Sequence, residues 1–183
     1  MVNAIRPEQQ RSGTAVTPDQ AEFREAMAHL PAAVNILTTN GPNGRCGITL
    51  SAICSVTDAP PTLLVCVNRS SAMHDVFQAN GRVCVNVLGG EHQELAMHFA
   101  GATKVPMAER FTWDIWDHTQ DVPVLKDALV TAVGTIKETV PRGSHSVLFV
   151  ELEQIRTRSG GQSLVYFNRA FHRLEATLPG TAR

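Results

Sequence analysis

The chain has 183 residues, which is enough for one domain with a sizeable core. Its 16 basic and 17 acidic side chains leave a formal net charge of −1. This balance disfavours a protein that binds nucleic acid or anionic membranes, because such proteins usually carry a basic face. No apolar run approaches the length of a membrane span, and the first 17 residues lack the apolar centre of a secretory signal. We therefore expect a cytoplasmic protein.

The first half of the chain predicts two helices and four strands. The segment TPDQ at 17–20 is typical of a helix start, with Thr17 as the capping residue. A second, shorter helix should be capped by Ser70 or Ser71 and should end near Gly81. The predicted strands of this half, separated by turn residues, are 32–39, 46–56, 62–68 and 82–88.

The second half predicts one more helix and three more strands. The helix covers 89–101 (GGEHQELAMHFAG), with Leu95 and Phe99 facing inward, and 102–124 is predicted to be mostly loop. The strands are 128–139, 146–157 and 164–168. Because tight turns rather than helices join most strands, the pattern favours a mainly β, antiparallel fold, a closed or partly closed barrel with peripheral helices.

The predicted domain covers 18–175. It lies between a flexible N-terminal lead, 1–17, and a C-terminal tail, 176–183. We find no internal repeat and no low-complexity segment that would suggest a second domain.

Several common kinds of site are disfavoured by the spacing of their residues. There is no G-x-G-x-x-G after a strand, no phosphate-binding P-loop and no G-x-S-x-G. Neither the histidines nor the cysteines have metal-ligand spacing, so we expect no metal site. Cys54, Cys66 and Cys84 lie inside apolar runs and are predicted to be buried and inert, whereas Cys46 lies nearer a turn.

The strand predicted at 46–56 carries two hydroxyls in an otherwise apolar run. Thr49 and Ser51 should point to one face, with Leu50 on the other. An ordinary solvent-facing strand would explain them. Alternatively, because buried hydroxyls need hydrogen-bond partners, they could line a ligand made of flat rings with polar edges.

The run Asn68-Arg69-Ser70-Ser71 follows a strand and opens a predicted helix. Free backbone N–H groups, hydroxyls and an arginine together suit a phosphate. A serine that merely caps the helix is the more common arrangement.

Two later segments carry polar groups beside predicted strands. Gly143-Ser144-His145 forms a turn, where a histidine is usually solvated but could also hydrogen-bond a substrate or move a proton. Tyr166 lies near the end of a strand, where aromatic residues usually join the core, and Arg169 just beyond it could pair with a phosphate.

Taken in order, these segments resemble the flavin reductase family, the small reductase components of two-component flavin-dependent monooxygenases. The resemblance extends over roughly residues 20–173. The matching segments are TTNGPNGRCGITLSAICSVTDAPPTLLVCVN, NRSSAM, CVNVL, HFAG, MAERF, PVLK, GSH and YFNRAFH. Within the family, NRSSAMHDVFQANG and AMHFAG followed by MAERF are most similar to the reductases of 4-hydroxyphenylacetate 3-monooxygenases.

The resemblance implies an FMN-binding split β-barrel that works as a homodimer. It implies an enzyme that oxidises NADH, reduces FMN or FAD by hydride transfer, and passes the diffusible reduced flavin to a separate oxygenase that hydroxylates an aromatic substrate. The flavin supplies the redox chemistry, so we expect no covalent protein nucleophile.

The resemblance also implies which residues bind the flavin. The ring edge is expected at the TLS segment, the ribityl and phosphate portion at NRSS, and a turn after the HFAG helix should close over the flavin. The residues implied are Thr49, Leu50, Ser51, Asn68, Arg69, Ser70, Ser71, Phe99 and Gly101.

For NADH, the resemblance implies Ser144, His145, Tyr166 and Arg169, with His145 as the residue that orients the nicotinamide. Two positions depart from the family pattern: Ser144 stands where Asp or Thr is usual, and Leu50 where Ala is common. Two other functions stay open. One is the flavin reductase of pyrimidine degradation, and the other is a split-barrel protein that holds flavin without turning it over.

Overall fold

The computed structural model describes residues 17–176. The predicted N-terminal lead and C-terminal tail, apart from residues 17 and 176, lie outside this range, and the domain limits stay a prediction. The helices are α1 Gln20–Ala28, α2 His74–Asn80, α3 Gln93–Phe99, preceded by a 3-10 turn at Gly90–His92, and α4 Met107–Arg110. No helix in the described range is long and apolar enough to cross a membrane.

The strands fall into three antiparallel sheets, of seven, three and two strands. In chain order they are β1 Ala32–Ala33, β2 Asn35–Thr39, β3 Cys46–Leu50, β4 Ile53–Asp58, β5 Pro61–Asn68, β6 Arg82–Val87, β7 Trp116–Asp117, β8 Val124–Leu125, β9 Val130–Arg142, β10 His145–Thr157, β11 Ser163–Phe167 and β12 Ala170–Leu174. This arrangement confirms the predicted fold class, mainly β and antiparallel with peripheral helices.

The large sheet curls until its two edges approach each other. Its strand order is β3-β2-β6-β9-β10-β5-β4, so the edge strands β3 and β4 are consecutive in the chain. In a flat sheet of seven strands the edges would lie about 29 Å apart, at about 4.8 Å per strand. Two residues, Ser51 and Ala52, connect Leu50 to Ile53, and that span reaches at most about 11 Å. The two edges of the sheet must therefore lie close together at this corner.

This corner corrects the prediction of one continuous strand at 46–56. The chain bends at Ser51, whose carbonyl accepts a hydrogen bond from the Ile53 N–H, and Ala52 then pairs with the N–H of Cys66. Because the strand ends at Leu50, the predicted alternation of faces also ends there. Small side chains suit a bend at which two sheet edges approach each other closely.

Two apolar clusters stabilise the curled sheet. The interior cluster includes Leu37, Val65, Phe77, Val83 and Leu148, all fully or almost fully buried. The second cluster lies between the sheet and the segment that contains α3 and α4. Its buried members include Ile36, Leu88, Leu95, Phe99 and Trp116. The inward orientation predicted for Leu95 and Phe99 is confirmed.

The starts of two helices differ from the prediction. Asp19, not Thr17, caps α1: its carboxylate accepts from the N–H groups of Ala21 and Glu22, and the Glu22 side chain accepts in return from the Asp19 N–H. The Asp-x-x-Glu spacing completes a capping box, whereas Thr17 stands two residues too early. α1 also leaves all its residues unburied.

α2 begins later than predicted, at His74 rather than directly after Ser70 or Ser71. The Asn68 side chain competes for this segment and holds Ser70 in a turn, while Ser71 Oγ accepts from the Met73 N–H at 3.3 Å. The predicted end at Gly81 is confirmed, since its φ of 70° is the left-handed conformation that glycine adopts easily.

Three further predictions were incomplete or wrong. The 102–124 segment contains α4 and β7 as well as loop, and β12 was not predicted. Cys54 is exposed rather than buried, because β4 is an edge strand with only its first residue partly covered. Cys46 and Cys84 are buried, and burial raises the pKa of their thiols to about 11 and about 12.

Candidate active site

A first cavity, of about 480 Å³, opens where β3 ends. Most of its surface is apolar, as expected for a pocket that receives a flat ring system. Its lining residues, from β3, the end of α3 and the β11–β12 hairpin, are Val34, Thr49, Leu50, Ser51, Met97, Ala100, Ala102, Tyr166 and Phe171. The structure thus brings together the predicted residues Thr49, Leu50, Ser51 and Tyr166. We call this cavity the ring pocket.

The ring pocket depends on how closely α3 approaches β3. A Cβ atom on Gly47 would lie 2.8 Å from the Phe99 ring, so only glycine allows this contact. Thr49 Oγ1 then donates a hydrogen bond to the Ala96 carbonyl at 2.7 Å. The Thr49 hydroxyl proton is therefore used inside the protein, and its oxygen lone pairs remain to face a ligand.

Phe99 and Gly101, both predicted to close over the ligand, contribute in different ways. The Phe99 side chain is 3% exposed and packs edge-on against Phe111 and Trp116 at centroid distances of 5.4 and 5.7 Å. It supports the ring pocket from beneath and does not line it. Gly101 has a φ of 78°, and the turn that it makes lets Ala100 and Ala102 both face the pocket.

A second cavity, of about 580 Å³, lies at the end of β5 and is markedly more polar. Its lining residues are Asn68, Arg69, Ser70, His74, Asp75 and Ser144. Asn68 Oδ1 accepts from both the N–H and the hydroxyl of Ser70 at 2.9 Å, which orders this turn. We call this cavity the phosphate cradle, because an arginine and hydroxyls around an open volume suit a phosphate.

The predicted phosphate and nicotinamide segments form one surface. Strands β5 and β10 pair with His145 opposite Asn68, which places the Gly143-Ser144 turn beside the cradle. The Arg69 N–H donates to the Ser144 carbonyl at 2.9 Å, and the Arg69 guanidinium donates to the Gly143 carbonyl at 3.4 Å. His145 is exposed, with Nδ1 2.9 Å from Ser144 Oγ.

A third cavity, of about 670 Å³, is lined by residues of β4 and β5. It shares Ser51 with the ring pocket, and its lining includes Cys54 and Cys66. Cys66 and Asn68 are two residues apart on β5, so their side chains project from the same face of the strand. The three cavities therefore follow one another from the ring pocket to the phosphate cradle, and we call the third the middle cavity.

Three of the predicted polar site residues, Ser71, His145 and Arg169, line none of the three cavities, and Arg169 is engaged elsewhere. Its guanidinium donates to the Glu25 carboxylate on α1 at 2.7 Å, and this hydrogen bond lowers the pKa of Glu25. Asn168 and Arg169 both have positive φ values, 48° and 60°, at the tip of the β11–β12 hairpin. Tyr166, two residues before this tip, is 38% exposed at the rim of the ring pocket.

Sequence reasoning missed His74 and Asp75, which line the phosphate cradle, and Ser146, which is buried behind His74. His74 is buried, with Nδ1 2.7 Å from Asp75 Oδ1 and Nε2 2.9 Å from Ser146 Oγ. The only signal in the sequence was a histidine next to an aspartate in a predicted helix. The contact with Ser146 depends on the pairing of β5 with β10, which the sequence does not specify.

The residues present fit a flavin. The ring pocket is mostly apolar with polar atoms at one edge, the middle cavity offers length for a ribityl chain, and the phosphate cradle supplies an arginine and hydroxyls. The two end cavities match the isoalloxazine ring and the phosphate of FMN, while the middle cavity, whose lining is mostly apolar, offers the space that connects them. In the described part of the chain, no group of three or more His, Cys, Asp or Glu residues could hold a metal ion.

Comparisons with known proteins agree with this fit. The family model for the flavin reductase like domain matches residues 27–175. The reductase component of 4-hydroxyphenylacetate 3-monooxygenase from Pseudomonas aeruginosa is 58% identical over 159 residues, which are 86% of this chain and 94% of that protein. The FMN reductase (NADH) RutF of Pseudomonas syringae pv. syringae is 46% identical over 161 residues, 87% of this chain and 89% of that protein.

The fold is similar as well. The crystal structure of a flavin reductase from Haemophilus somnus 129PT superposes with a TM-score of 0.80 at 38% identity, covering 86% of this chain and all of that one. The chain therefore belongs to the flavin reductase family. It is an oxidoreductase of that class, which confirms the resemblance found in the sequence.

Proposed function

We propose that this chain uses NADH to reduce FMN or FAD and supplies the reduced flavin to a separate 4-hydroxyphenylacetate 3-monooxygenase. The observation that carries the proposal is the order of the three cavities, from apolar to polar, along one side of the curled sheet. The 58% identical relative is itself named as the reductase component of that monooxygenase, which supports this choice of partner.

The ring pocket binds and orients the flat ring. Leu50, Met97 and Phe171 supply apolar contact, while Ser51 and the lone pairs of Thr49 face the polar ring edge. When bound, the flavin supplies the redox chemistry, because it accepts the hydride that NADH gives up. The protein contributes by holding the two reactants at the right distance and angle.

The phosphate cradle holds the other end of the flavin. Arg69 supplies the positive charge, and Ser70, Ser71 and Asn68 supply hydroxyl and amide groups in a turn that is already ordered by its own hydrogen bonds. A preformed turn loses little conformational entropy on binding. These contacts are few and open to solvent, which suits a flavin that must leave after reduction.

NADH is proposed to bind in the groove between the Gly143 turn, which lies beside the phosphate cradle, and Tyr166 at the rim of the ring pocket. His145 is exposed and can hydrogen-bond the nicotinamide amide, and Ser144 lies at 2.9 Å from its Nδ1 to orient the imidazole. Because Arg169 is paired with the Glu25 carboxylate, it can bind a phosphate of NADH only after that pair separates. A phosphate, like a carboxylate, is an anionic partner for a guanidinium.

A homodimer is part of the proposal. The helix α1 exposes Phe23 and Met27, and Leu30 follows just after its end; the three side chains are 46–61% exposed and are spaced four and three residues apart. Such an apolar face is well suited to a second copy of the chain. Light scattering after gel filtration should give twice the monomer mass. A monomer mass at micromolar concentration would contradict this part.

The alternative with direct support is a flavin reductase that serves pyrimidine degradation. The 46% identity to RutF favours it, although that identity is lower than the 58% to the hydroxyphenylacetate enzyme. The chemistry at the ring pocket would be the same, and only the oxygenase would differ. Hydroxylation of 4-hydroxyphenylacetate by its oxygenase, reconstituted with this reductase, separates the two. The cytoplasmic location stays a prediction from composition.

The deciding experiment is NADH oxidation by the purified protein with and without added FMN, FAD or riboflavin. We expect turnover that depends on added flavin, and the rates then rank the three flavins. Flavin binding without any NADH oxidation would contradict the proposed function and favour a non-catalytic flavin-binding protein.

The proposed role of His145 has its own test. His145→Ala should lower turnover with NADH while leaving the dissociation constant for FMN near that of the unsubstituted protein. Thr112→Ala, at an exposed hydroxyl away from the three cavities, is the control for handling and folding. Unchanged NADH kinetics in His145→Ala would remove the role.

A further inference from the structure

An acidic side chain lines the phosphate cradle, which Arg69 lines as well. Asp75 lines that cavity together with Asn68, Arg69, Ser70, His74 and Ser144, and its side chain is 96% exposed. A carboxylate next to a phosphate is unfavourable, because like charges repel across a few ångströms. The Asp75 carboxylate, in a cavity suited to an anion, therefore needs a physical explanation.

Buried partners hold this exposed carboxylate in place. Asp75 Oδ1 lies 2.7 Å from His74 Nδ1, and the other ring nitrogen lies 2.9 Å from Ser146 Oγ. His74 is 7% exposed and Ser146 2% exposed, and the Gln78 amide nitrogen lies 3.1 Å from each ring nitrogen. An exposed aspartate usually samples several rotamers, but this one is anchored to the sheet through an imidazole.

The same three residues have the order of a Ser-His-Asp triad, but burial excludes hydrolysis at this serine. With 2% of its surface exposed, Ser146 lies within strand β10, where a substrate carbonyl could not approach its Oγ. The exposed member of the chain is the carboxylate, so any effect on a ligand must come from Asp75.

We propose that Asp75 is a specificity-determining residue that weakens the hold of the cradle on the flavin phosphate, and that His74 and Ser146 position it. This rests on the proposed function, which places that phosphate beside Arg69. The carboxylate opposes Arg69 and keeps the attraction for a dianionic phosphate moderate. The reduced flavin can then leave for the oxygenase, which a tight cradle would prevent.

The test is the dissociation constant of FMN compared with that of riboflavin, which lacks the phosphate, measured by quenching of flavin fluorescence without NADH. Asp75→Asn should tighten FMN by about threefold to tenfold, the size expected for a solvent-screened charge and a dianion several ångströms apart. Riboflavin should bind as before. The gain should shrink in about 1 M salt, where the Debye length falls to about 3 Å.

Asp58→Asn is the matched control. It removes the same charge at another exposed position, at the end of β4 opposite Pro61. Because β5 rises about 3.3 Å per residue, that position lies roughly 23 Å along the strand from Asn68. Asp58→Asn should leave the ratio of the two constants unchanged.

Arg69→Ala separates the failure of this inference from the failure of the proposed site. Suppose that Arg69→Ala weakens the binding of FMN but not of riboflavin, while Asp75→Asn changes neither dissociation constant. The phosphate then lies in the cradle, and the role of Asp75 is overturned. If neither variant changes the ratio, the phosphate lies elsewhere, and the proposed site and this inference both fail.

The positioning role of His74 is tested by a double-mutant cycle. His74→Gln should tighten FMN relative to riboflavin by less than Asp75→Asn does, since the released carboxylate can turn toward solvent. In the Asp75→Asn background, His74→Gln should not change the ratio of the FMN and riboflavin dissociation constants any further. An equal effect of His74→Gln in both backgrounds would show that the histidine does not act through Asp75.

Discussion

The two ends of the groove are built in opposite ways. The ring pocket draws on β3, α3 and the β11–β12 hairpin, which are distant in the sequence and held together by a buried aromatic cluster. The phosphate cradle is made by the start of α2 and by two neighbouring turns, after β5 and before β10, whose polar groups largely satisfy one another. One end depends on packing, and the other on charge and local hydrogen bonds.

This difference explains how one site can orient a ring and still release it. Shape and apolar contact at the ring pocket are fixed by the core, so they change little when the ligand leaves. In the proposed site, the affinity that distinguishes one flavin from another comes from the cradle, which an exposed arginine and an exposed aspartate both line. Substitutions at the two ends should therefore have different signatures.

The largest effect is expected from Phe99→Ala, which removes the packing beneath the ring pocket. Loss of this buried ring should lower the free energy of unfolding by about 3–5 kcal/mol, as measured by urea denaturation. The binding of FMN and the binding of riboflavin should weaken by the same factor, because both flavins place their ring in this pocket. Only FMN carries a phosphate that reaches the cradle. The ratio of their dissociation constants should therefore stay constant.

Phe99→Leu is the matched control, since it keeps much of the volume and should cost less stability. A change in the ratio of the FMN and riboflavin constants in Phe99→Ala would contradict the separation of the two ends. It would mean that the cradle depends on the same core as the ring pocket.

A smaller effect is expected from Thr49→Val, which keeps the shape of the side chain and removes its hydroxyl. The Ala96 carbonyl would lose the hydrogen bond that ties α3 to β3, at a cost of about 1 kcal/mol in the free energy of unfolding. Thr49→Ser retains the donor and should recover most of this loss. If both variants unfold at the same urea concentration, the hydrogen bond does not hold α3 in place.

The smallest effect concerns the middle cavity, which joins the two ends. Cys54 is exposed there and should react first with a thiol reagent, while Cys46 and Cys84 should react only after unfolding, because burial raises their pKa values to about 11 and about 12. Saturating FMN should slow labelling of Cys54 a few-fold, and Cys54→Ser identifies the fast phase. Labelling that FMN does not change would place the flavin outside this cavity.

The residues predicted to bind the flavin stand out in the sequence for different physical reasons. Thr49 and Ser51 were conspicuous because hydroxyls interrupt an apolar run, and Arg69 because a charge follows a buried strand. Phe99 was correctly placed inward by helical spacing, yet its neighbours Met97 and Ala100 line the ring pocket. Side-chain periodicity indicates which face is buried, but not which edge of that face meets a cavity.

His74 and Ser146 show where such prediction ends. They are 72 residues apart and are joined by one hydrogen bond that exists because β5 pairs with β10 in one register. A shift of that register by one residue would turn Ser146 to the other face of the sheet. No local pattern in either segment reports the register.

By itself, the sequence determined most of the strands, the antiparallel class, the buried side of α3 and the segments predicted to carry the site, because periodicity and turn residues act locally. Only the tertiary structure decided that the chain bends at Ser51 and brings the two edges of the sheet together, that Cys54 is exposed, and that a carboxylate lines the same cavity as Arg69. These features depend on which distant strands pair and in what register. That choice is made by the packing of the whole core, not by the residues at the site.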